Sequence, residues 1–329
     1  MYLPAYIDLY YSGELEKRVI SLKKILEDCT VCPHQCHVDR RIDNSGICQS
    51  FDHLTICSAC AHHGEEPPLS GSNGSGTVFL GRCNLSCVYC QNADISQGNV
   101  HTPSNICSAA DLARIMLELQ NARHCHNINF VSPSHFVPQI VEAVYLAIPL
   151  GLELPLVYNS NGYDHPQTLA LLENIIDIYL PDLKYADDRI AEKYSGIPDY
   201  SRTARRAIKE MFRQVGLLKT DRYGVATHGI IVRHLVLPGN LSGTAECLDW
   251  LARECSPQIT LSLMAQYYPA HKAAEFPPLD QILSAREYHH ALKLLKRLGF
   301  KNALYQEPRS AFHYRPDFKN KEEPFNQEP

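Results

Sequence analysis

Hydrophobic residues recur at two spacings along the chain, and from residue 77 onward these spacings predict strands that alternate with helices. Short β-branched or apolar runs indicate buried strands, and apolar positions three and four residues apart indicate helices with one apolar face. The predicted strands are 77–80, 127–131, 156–158, 176–180, 229–236, 260–264 and a short final one at 302–305. The predicted helices are 108–119, 137–150, one that begins at Pro166, 203–217, 242–254 and 284–298.

Residues that favour helix starts support several of these predictions. Ser108 and Ser284 are each followed three residues later by an acidic residue, the arrangement of a capping box. Pro166 stands where the first turn of a helix tolerates proline. Before the alternating region, the sequence predicts one more helix over 13–28, with Ser12 as its cap and Leu15 on its apolar face.

Six strands that alternate with helices predict an α/β protein built from parallel βαβ units with right-handed crossovers. Eight such units would close a full barrel, whereas six fit a partial (β/α)6 barrel of the TIM type. The spacing also fits a doubly wound sheet. We predict three regions: an N-terminal helix with a cysteine-rich extension (1–76), the partial barrel (77–308) and a polar tail (309–329).

The composition narrows the class of protein. Of 329 residues, 45% are hydrophobic and 20% are charged, as in soluble globular proteins. A net charge of −5 argues against nucleic-acid binding, and no apolar run is long enough to predict a membrane span. The first residues lack the basic start and apolar core of a signal peptide. We therefore expect the thirteen cysteines to be thiols and metal ligands in a reducing cytoplasm.

The strongest chemical signal is a C-x3-C-x2-C run directly after the strand 77–80. It contains Cys83, Cys87 and Cys90. Three thiolates on one short loop suit three irons of a cubane cluster and leave the fourth iron open to a ligand. A zinc site or unrelated buried thiols would give the same spacing.

A second group of cysteines lies in the N-terminal extension, which has few apolar residues of its own. It has the spacing C-x2-C-x3-C-x11-C and consists of Cys29, Cys32, Cys36 and Cys48. Four thiolates predict a closed site for zinc or for an auxiliary 4Fe–4S cluster, and these two alternatives stay open beside a segment without metal.

Further cysteines and two glutamates precede the first predicted strand. Cys57 and Cys60 are interpreted as ordinary thiols near a turn rather than as added metal ligands. The glycine-, proline- and serine-rich run 64–76 is a connecting loop. Glu65 and Glu66 in this loop are candidates to face the cluster or a substrate.

The cysteine run, with Tyr89 just before its third cysteine, resembles the radical S-adenosylmethionine (radical SAM) enzymes. The resemblance is closest to a group similar to the activating enzyme of pyruvate formate-lyase. It rests on five stretches in the right order: Cys29 to Pro33, Glu65 to Pro68, Cys83 to Asn92, Val232 to Asn240 and Met264 to Pro269. The resemblance implies the open partial barrel of that superfamily.

The resemblance also implies an oxidoreductase chemistry. In radical SAM enzymes the amine and carboxylate of SAM chelate the open iron, and one electron then releases a 5′-deoxyadenosyl radical. The cofactors expected are therefore a 4Fe–4S cluster and SAM, and the expected partner is a one-electron donor such as a flavodoxin or ferredoxin. The implied substrate is a backbone glycine of a partner enzyme, another peptide or a small molecule. No residue is assigned a catalytic role.

The expected SAM contacts follow the strand ends of the family. They are Ser132, Ser134, His135, Asn159, Asn161, Asp182, Lys184, Arg233 and His234. The family's Gly-Gly-Glu turn, which binds the SAM amine, is replaced here by the turn 132–135, which lacks a carboxylate. In the alternative interpretation, these polar side chains satisfy one another in the mouth of the barrel.

Two functions of other classes fit the same motifs. An iron–sulfur electron carrier or sensor without radical chemistry would agree with the missing carboxylate. A metal-binding scaffold protein would hold zinc at the N-terminal cysteines.

Overall fold

The structure is a computed structural model that describes residues 2–306, 316–318, 320–321 and 324–325. The end of the predicted barrel region at 307–308 and most of the predicted polar tail lie outside these residues.

Ten strands and eleven α-helices form within the described residues. The strands are β1 (Leu54–His62), β2 (Ser75–Leu80), β3 (Ile106–Cys107), β4 (Ile128–Val131), β5 (Leu156–Asn159), β6 (Ile178–Tyr179), β7 (Lys219–Thr220), β8 (Ala226–Leu235), β9 (Thr260–Met264) and β10 (Ala303–Tyr305). The helices are α1 (Tyr6–Tyr11), α2 (Glu14–Ile25), α3 (Pro67–Ser70), α4 (Ala93–Ser96), α5 (Ala109–Asn121), α6 (Val137–Ala147), α7 (Pro166–Ala170), α8 (Asp188–Ser195), α9 (Tyr200–Val215), α10 (Thr244–Glu254) and α11 (Ala285–Leu298). None of these helices combines the length and apolarity needed to cross a lipid bilayer.

The order of the strands distinguishes the two architectures that the sequence left open. Strands β2, β4, β5, β6, β8, β9 and β10 are parallel, and each pairs with the next one in chain order. A doubly wound sheet reverses its strand order at a switch point, and this sheet has no such reversal among the described strands. The predicted partial barrel is confirmed. A closed barrel would require its first and last parallel strands, β2 and β10, to pair with each other. Among the described strands they do not: β10 pairs with β9, and β2 lies between β4 and β1, so the barrel stays open.

Strand β1 was not predicted, and the interpretation of Cys57 and Cys60 as thiols near a turn is wrong. Both cysteines lie inside β1, which pairs antiparallel with β2. Nearly every residue of β1 is buried, so the strand lacks the alternation of polar and apolar residues that marks a half-buried strand. The hairpin continues the sheet across the predicted boundary at residue 76.

Both predicted capping boxes are confirmed. The hydroxyl of Ser108 accepts the backbone N–H of Asp111 at 3.1 Å, and the Asp111 carboxylate accepts the backbone N–H of Ser108 at 2.8 Å. Ser284 and Glu287 form the same pair of bonds at the start of α11. Helices begin there because the side chains satisfy backbone N–H groups that have no partner within the first turn.

The helix predicted over 13–28 corresponds to α2, but Ser12 does not cap it and the short helix α1 before it was not predicted. Gly13 separates α1 from α2 and has a left-handed backbone, with φ 75°. A residue with a Cβ rarely adopts this conformation, so the glycine allows the chain to turn between the two helices. Leu15 is buried, as its place on the predicted apolar face requires.

The fold brings the carboxyl ends of the parallel strands to one edge of the sheet, where α/β barrels place their chemistry. The loop with Cys83, Cys87 and Cys90 follows β2 at this edge. The polar residues predicted after β4, β5 and β6 and those at the end of β8 lie in the corresponding positions of the neighbouring strands.

Candidate active site

A cavity of about 1060 Å³ opens at the carboxyl ends of the strands. Its volume is at the upper end of the range of small-molecule sites, so it has room for a cofactor and a second molecule. It brings together most of the residues predicted from the sequence, namely Cys83, Cys87, Cys90, Ser132, Asn159, Asn161, Asp182, Lys184 and Arg233.

The three cysteines of the loop after β2 each contact at least one polar side chain. The Asn161 amide donates to Cys83 Sγ at 3.4 Å. Cys87 Sγ lies 2.9 Å from the Ser195 hydroxyl, and Cys90 Sγ lies 3.3 Å from the Ser96 hydroxyl. Hydrogen bonds to sulfur favour the thiolate, which is the form that binds iron.

The loop itself is held from three sides. Its Ser86 and Val88 N–H groups donate to carbonyls at the end of α8, at 3.1 and 2.9 Å, and the Val88 carbonyl accepts the Lys272 N–H at 2.8 Å. The hydroxyl of Tyr89 lies 2.5 Å from that of Tyr185 in the buried interior. Because its backbone is tied to other elements, the loop holds the thiols in place before any cofactor binds.

The surroundings make these thiols hard to ionise while they hold no metal. Burial raises the pKa of Cys83 to about 11 and that of Cys87 to about 12, and it also raises the pKa of Cys90. The positive charge of Lys184 acts in the opposite direction on all three. The charge of bound iron would therefore supply most of the driving force for deprotonation.

The cysteine set and the width of the cavity fit a cubane cluster. A cubane spreads its thiolates over separate irons, so they need not converge on one point. Cys83, Cys87 and Cys90 are the cysteines on the wall of the wide cavity in the part of the chain that the structure describes. A cubane held by these three thiolates would have one iron without a cysteine ligand.

A buried cluster of charges, made of Arg233, Glu65 and Glu66, forms another wall of the cavity. Arg233 donates to both carboxylate oxygens of Glu66, at 2.7 and 2.6 Å, and also to a Glu65 oxygen. The other Glu65 oxygen accepts the Asn129 amide from β4 at 3.0 Å. Burial alone would raise the pKa of Glu66, but the adjacent Arg233 outweighs it and holds that pKa below its ordinary value. The Glu66 carboxylate therefore remains ionised beside Arg233.

A second ion pair completes the charged lining. Lys184 Nζ donates to an Asp182 oxygen at 2.5 Å, and Arg233 also donates to Asn159 Oδ1 at 3.2 Å. Burial would lower the pKa of Lys184, but Asp182 and Cys87 more than offset it and raise that pKa. With three carboxylates against two cationic side chains, the lining carries one excess negative charge. This charge favours a ligand with a net positive charge.

Three predicted SAM contacts lie outside this cavity. Ser134 and His135 belong to the turn that follows β4, and both are buried. His135 Nε2 donates to the Gly81 carbonyl at 3.0 Å. His234 is buried between the Leu183 carbonyl and the Thr244 hydroxyl, at 2.7 and 3.0 Å. Burial lowers the pKa of His135 to about 3 and that of His234 to about 4, so both rings are neutral. Their contacts are those of residues that support the fold.

The four N-terminal cysteines lie elsewhere. Cys29, Cys32, Cys36 and Cys48 line a separate cavity of about 10 Å³. Cys57 and Cys60 belong to neither cavity and pack in the apolar cluster beside Phe79. All thirteen cysteines are in the described residues and are free thiols.

Two features of the site were not predicted. The first is the serine partners of Cys87 and Cys90, of which Ser195 is 108 residues from its cysteine. A serine at the end of a helix has no distinctive sequence pattern. The second is the pairing of Glu65 and Glu66 with Arg233. The two glutamates were candidates, and the signal that could have identified their partner was the arginine that directly follows the apolar run 230–232.

Comparisons with known proteins agree with this geometry. Residues 77–230 match the family model described as the radical SAM superfamily. The chain is also 28% identical over 288 residues to the "Uncharacterized protein MJ0674" of Methanocaldococcus jannaschii, and the match covers 86% of this chain and 78% of that relative. The matched family region contains the cysteine loop and the strands up to the middle of β8.

Proposed function

We propose that this chain binds a 4Fe–4S cluster through Cys83, Cys87 and Cys90 and binds SAM beside it, and the match of residues 77–230 to the family model of the radical SAM superfamily supports this proposal. The observation that carries the proposal is the set of three thiols on the wall of a wide cavity. Once bound, the cluster and SAM would supply a 5′-deoxyadenosyl radical that removes a hydrogen atom from a substrate.

The cavity offers groups for each part of SAM. We propose that Glu65 replaces the carboxylate that the turn after β4 lacks and accepts the SAM amine. It is hydrogen-bonded to Asn129 on β4, the strand that precedes that turn. Glu66 uses both oxygens to hold Arg233, and so it acts as a positioning residue. SAM carries a net positive charge, which suits the excess negative charge of the lining.

Four other predicted SAM contacts keep their assignment in this proposal, whereas Asn161 takes a different role. Ser132 lines the cavity at the turn after β4, and Asn159, Asp182 and Lys184 line it at the ends of the next two strands. Asn161 donates to Asn84 Oδ1 at 2.7 Å and to Cys83 Sγ. We assign it to orienting the cysteine loop.

The reaction needs an electron donor and a hydrogen donor from outside the chain. We propose a small cytoplasmic protein such as a flavodoxin or ferredoxin as the source of the electron. The resemblance to the activating enzyme of pyruvate formate-lyase makes a backbone glycine of a partner protein the first substrate to test. Other peptides and small molecules are the next candidates, since the cavity has volume beyond that of SAM.

The enzyme proposal predicts formation of 5′-deoxyadenosine. The protein is purified and reconstituted without oxygen, reduced and mixed with SAM, and the products are separated by chromatography. We expect 5′-deoxyadenosine and an electron paramagnetic resonance signal of the reduced cluster that changes when SAM is added. If the signal of the cluster does not change on addition of SAM and no 5′-deoxyadenosine forms, the result would favour an electron carrier or sensor instead.

The role of Glu65 predicts weaker SAM binding in the Glu65→Gln variant. A charged hydrogen bond to the amine would be lost, so the Kd for SAM should rise about 10- to 100-fold. Arg233 keeps both bonds to Glu66, so the fold should persist. Calorimetric titration of the reconstituted protein measures the Kd. The control is Glu192→Gln, at an exposed position of α8. Equal affinities in the two variants would remove Glu65 from the site.

A further inference from the structure

The small N-terminal cavity has a wall of sulfur atoms with no role in the radical chemistry. Cys29, Cys32, Cys36 and Cys48 line it, and the Ile47 N–H already donates to Cys36 Sγ at 3.4 Å. The backbone around it is closed by bonds between Cys29 and residues 37 and 38, at 3.1 and 3.0 Å. The four thiols thus belong to one compact folded unit.

A buried cation lies on the same wall. Arg40 is 1% exposed, and its hydrogen bonds go to the backbone carbonyls of Ser50, His135 and Phe51, at 2.9, 2.5 and 2.6 Å. None of these bonds goes to a carboxylate. A buried charge without an opposite charge is costly. Four thiolates around a divalent ion carry two negative charges in excess and would offset the guanidinium.

A buried nitrogen without a partner also belongs to this wall. The His135 ring lines the cavity and donates from Nε2 to the Gly81 carbonyl, which leaves a lone pair on Nδ1. His135 Nδ1 is buried and has no hydrogen-bond partner. Buried acceptors in native proteins are nearly always satisfied, so this atom is an unfilled polar position in a residue of this wall.

The size of the cavity distinguishes between the two metal centres that four cysteines can hold. Its volume of about 10 Å³ is that of roughly one water-sized atom. A single ion fits this space, whereas a cluster of four irons and four sulfides does not. A cubane fits the cavity of about 1060 Å³ at the other cysteine set.

Two short chains of contacts join the small cavity to the loop with Cys83, Cys87 and Cys90. His34, between Cys32 and Cys36, donates from Nε2 to the Asn84 carbonyl at 2.8 Å. Arg40 donates to the His135 carbonyl, and the His135 ring donates to the Gly81 carbonyl. Both acceptors, Gly81 and Asn84, are within two residues of Cys83.

We propose that Cys29, Cys32, Cys36 and Cys48 bind one zinc ion, and that this ion fixes the loop 81–90 through His34 and Arg40. The thiols surround the cavity without already forming a ligand set, so binding draws them together. They release their protons to solvent, and no electron is transferred. The zinc site does not depend on the proposed function. The importance of holding the loop 81–90 in place does depend on it.

Zinc binding is tested on the full chain carrying Cys87→Ala, so that the loop thiols do not compete. Metal is removed with a chelator under reducing conditions, and Zn²⁺ or Co²⁺ is titrated back. We expect one zinc per chain and, with Co²⁺, the absorption of a tetrahedral thiolate site. Adding Cys32→Ser or Cys48→Ser should abolish both, and adding Cys57→Ser should change neither. Iron with acid-labile sulfide at these cysteines, or no bound metal, would overturn the proposal.

The link to the loop is tested by hydrogen exchange of the same protein with and without zinc. We expect zinc to slow exchange across residues 81–90 by at least about tenfold. In zinc-loaded His34→Ala, the stoichiometry should stay at one ion while exchange near Asn84 returns toward the zinc-free rate. The link would be contradicted if the exchange rates in the loop were the same with and without zinc and were unchanged by His34→Ala. These readouts need neither SAM nor activity, so they separate this proposal from the enzyme proposal.

Discussion

Replacing Cys87 with alanine should leave the protein without a 4Fe–4S cluster and without 5′-deoxyadenosine formation. Cys87 lies between Cys83 and Cys90 on the wall of the wide cavity. In its absence two thiolates remain for a cubane that needs three, and the structure places no further cysteine on that wall within the described residues. Iron and acid-labile sulfide are measured per chain after anaerobic reconstitution, together with the nucleoside product.

The matched control is Cys107→Ala. Cys107 is a partly exposed thiol on β3 and lines neither cavity. This variant should keep the iron, the sulfide and the product of the parent protein. Full cluster content in Cys87→Ala would show that the cluster is held elsewhere, and it would end the assignment of the loop.

Replacing Glu66 with glutamine should lower the free energy of unfolding by about 1.5–3 kcal/mol, because it removes charged hydrogen bonds to a buried guanidinium that keeps Glu65 as its other carboxylate. Glu66 is 8% exposed and holds the Arg233 guanidinium by two charged hydrogen bonds. The amide keeps the shape but not the charge, so Arg233 would depend on Glu65 alone. Urea denaturation of the cluster-free protein, followed by circular dichroism, measures the change.

The matched control for Glu66 is Glu210→Gln on α9. Glu210 also accepts two bonds from one guanidinium, that of Arg213, at 2.9 and 2.8 Å, but this arginine is about half exposed. Solvent screens such a pair, so its loss should cost less than about 1 kcal/mol. Similar losses in the two variants would mean that the Arg233 pair is not a desolvated one.

The strands and helices of the barrel could be predicted because local patterns specify them. The capping boxes at Ser108 and Ser284 fix two helix starts through bonds that span three residues. Strand β1 could not be found in this way, because burial on both faces removes its alternation. The turn at Gly13 between α1 and α2 depends on a backbone conformation that the apolar pattern does not encode.

The site was predictable where it follows from strand order and not where it depends on long-range pairing. Asn159, Asp182 and Arg233 meet because parallel strands end at one edge. His135 and His234 have similar positions in the sequence, but their neighbours bury them in the scaffold. The direction of a side chain at a strand end depends on packing partners, which a single sequence does not identify.

The same long-range pairing sets an order of events during synthesis of the chain. Glu66 and its cation are 167 residues apart, so the ribosome delivers the three loop thiols and both glutamates long before the strand that carries Arg233. A nascent chain that stops short of β8 has the proposed iron ligands but lacks part of the cavity wall around them. Under the proposed function, the loop would therefore receive iron and sulfide in its final surroundings only after most of the polypeptide has left the ribosome and folded.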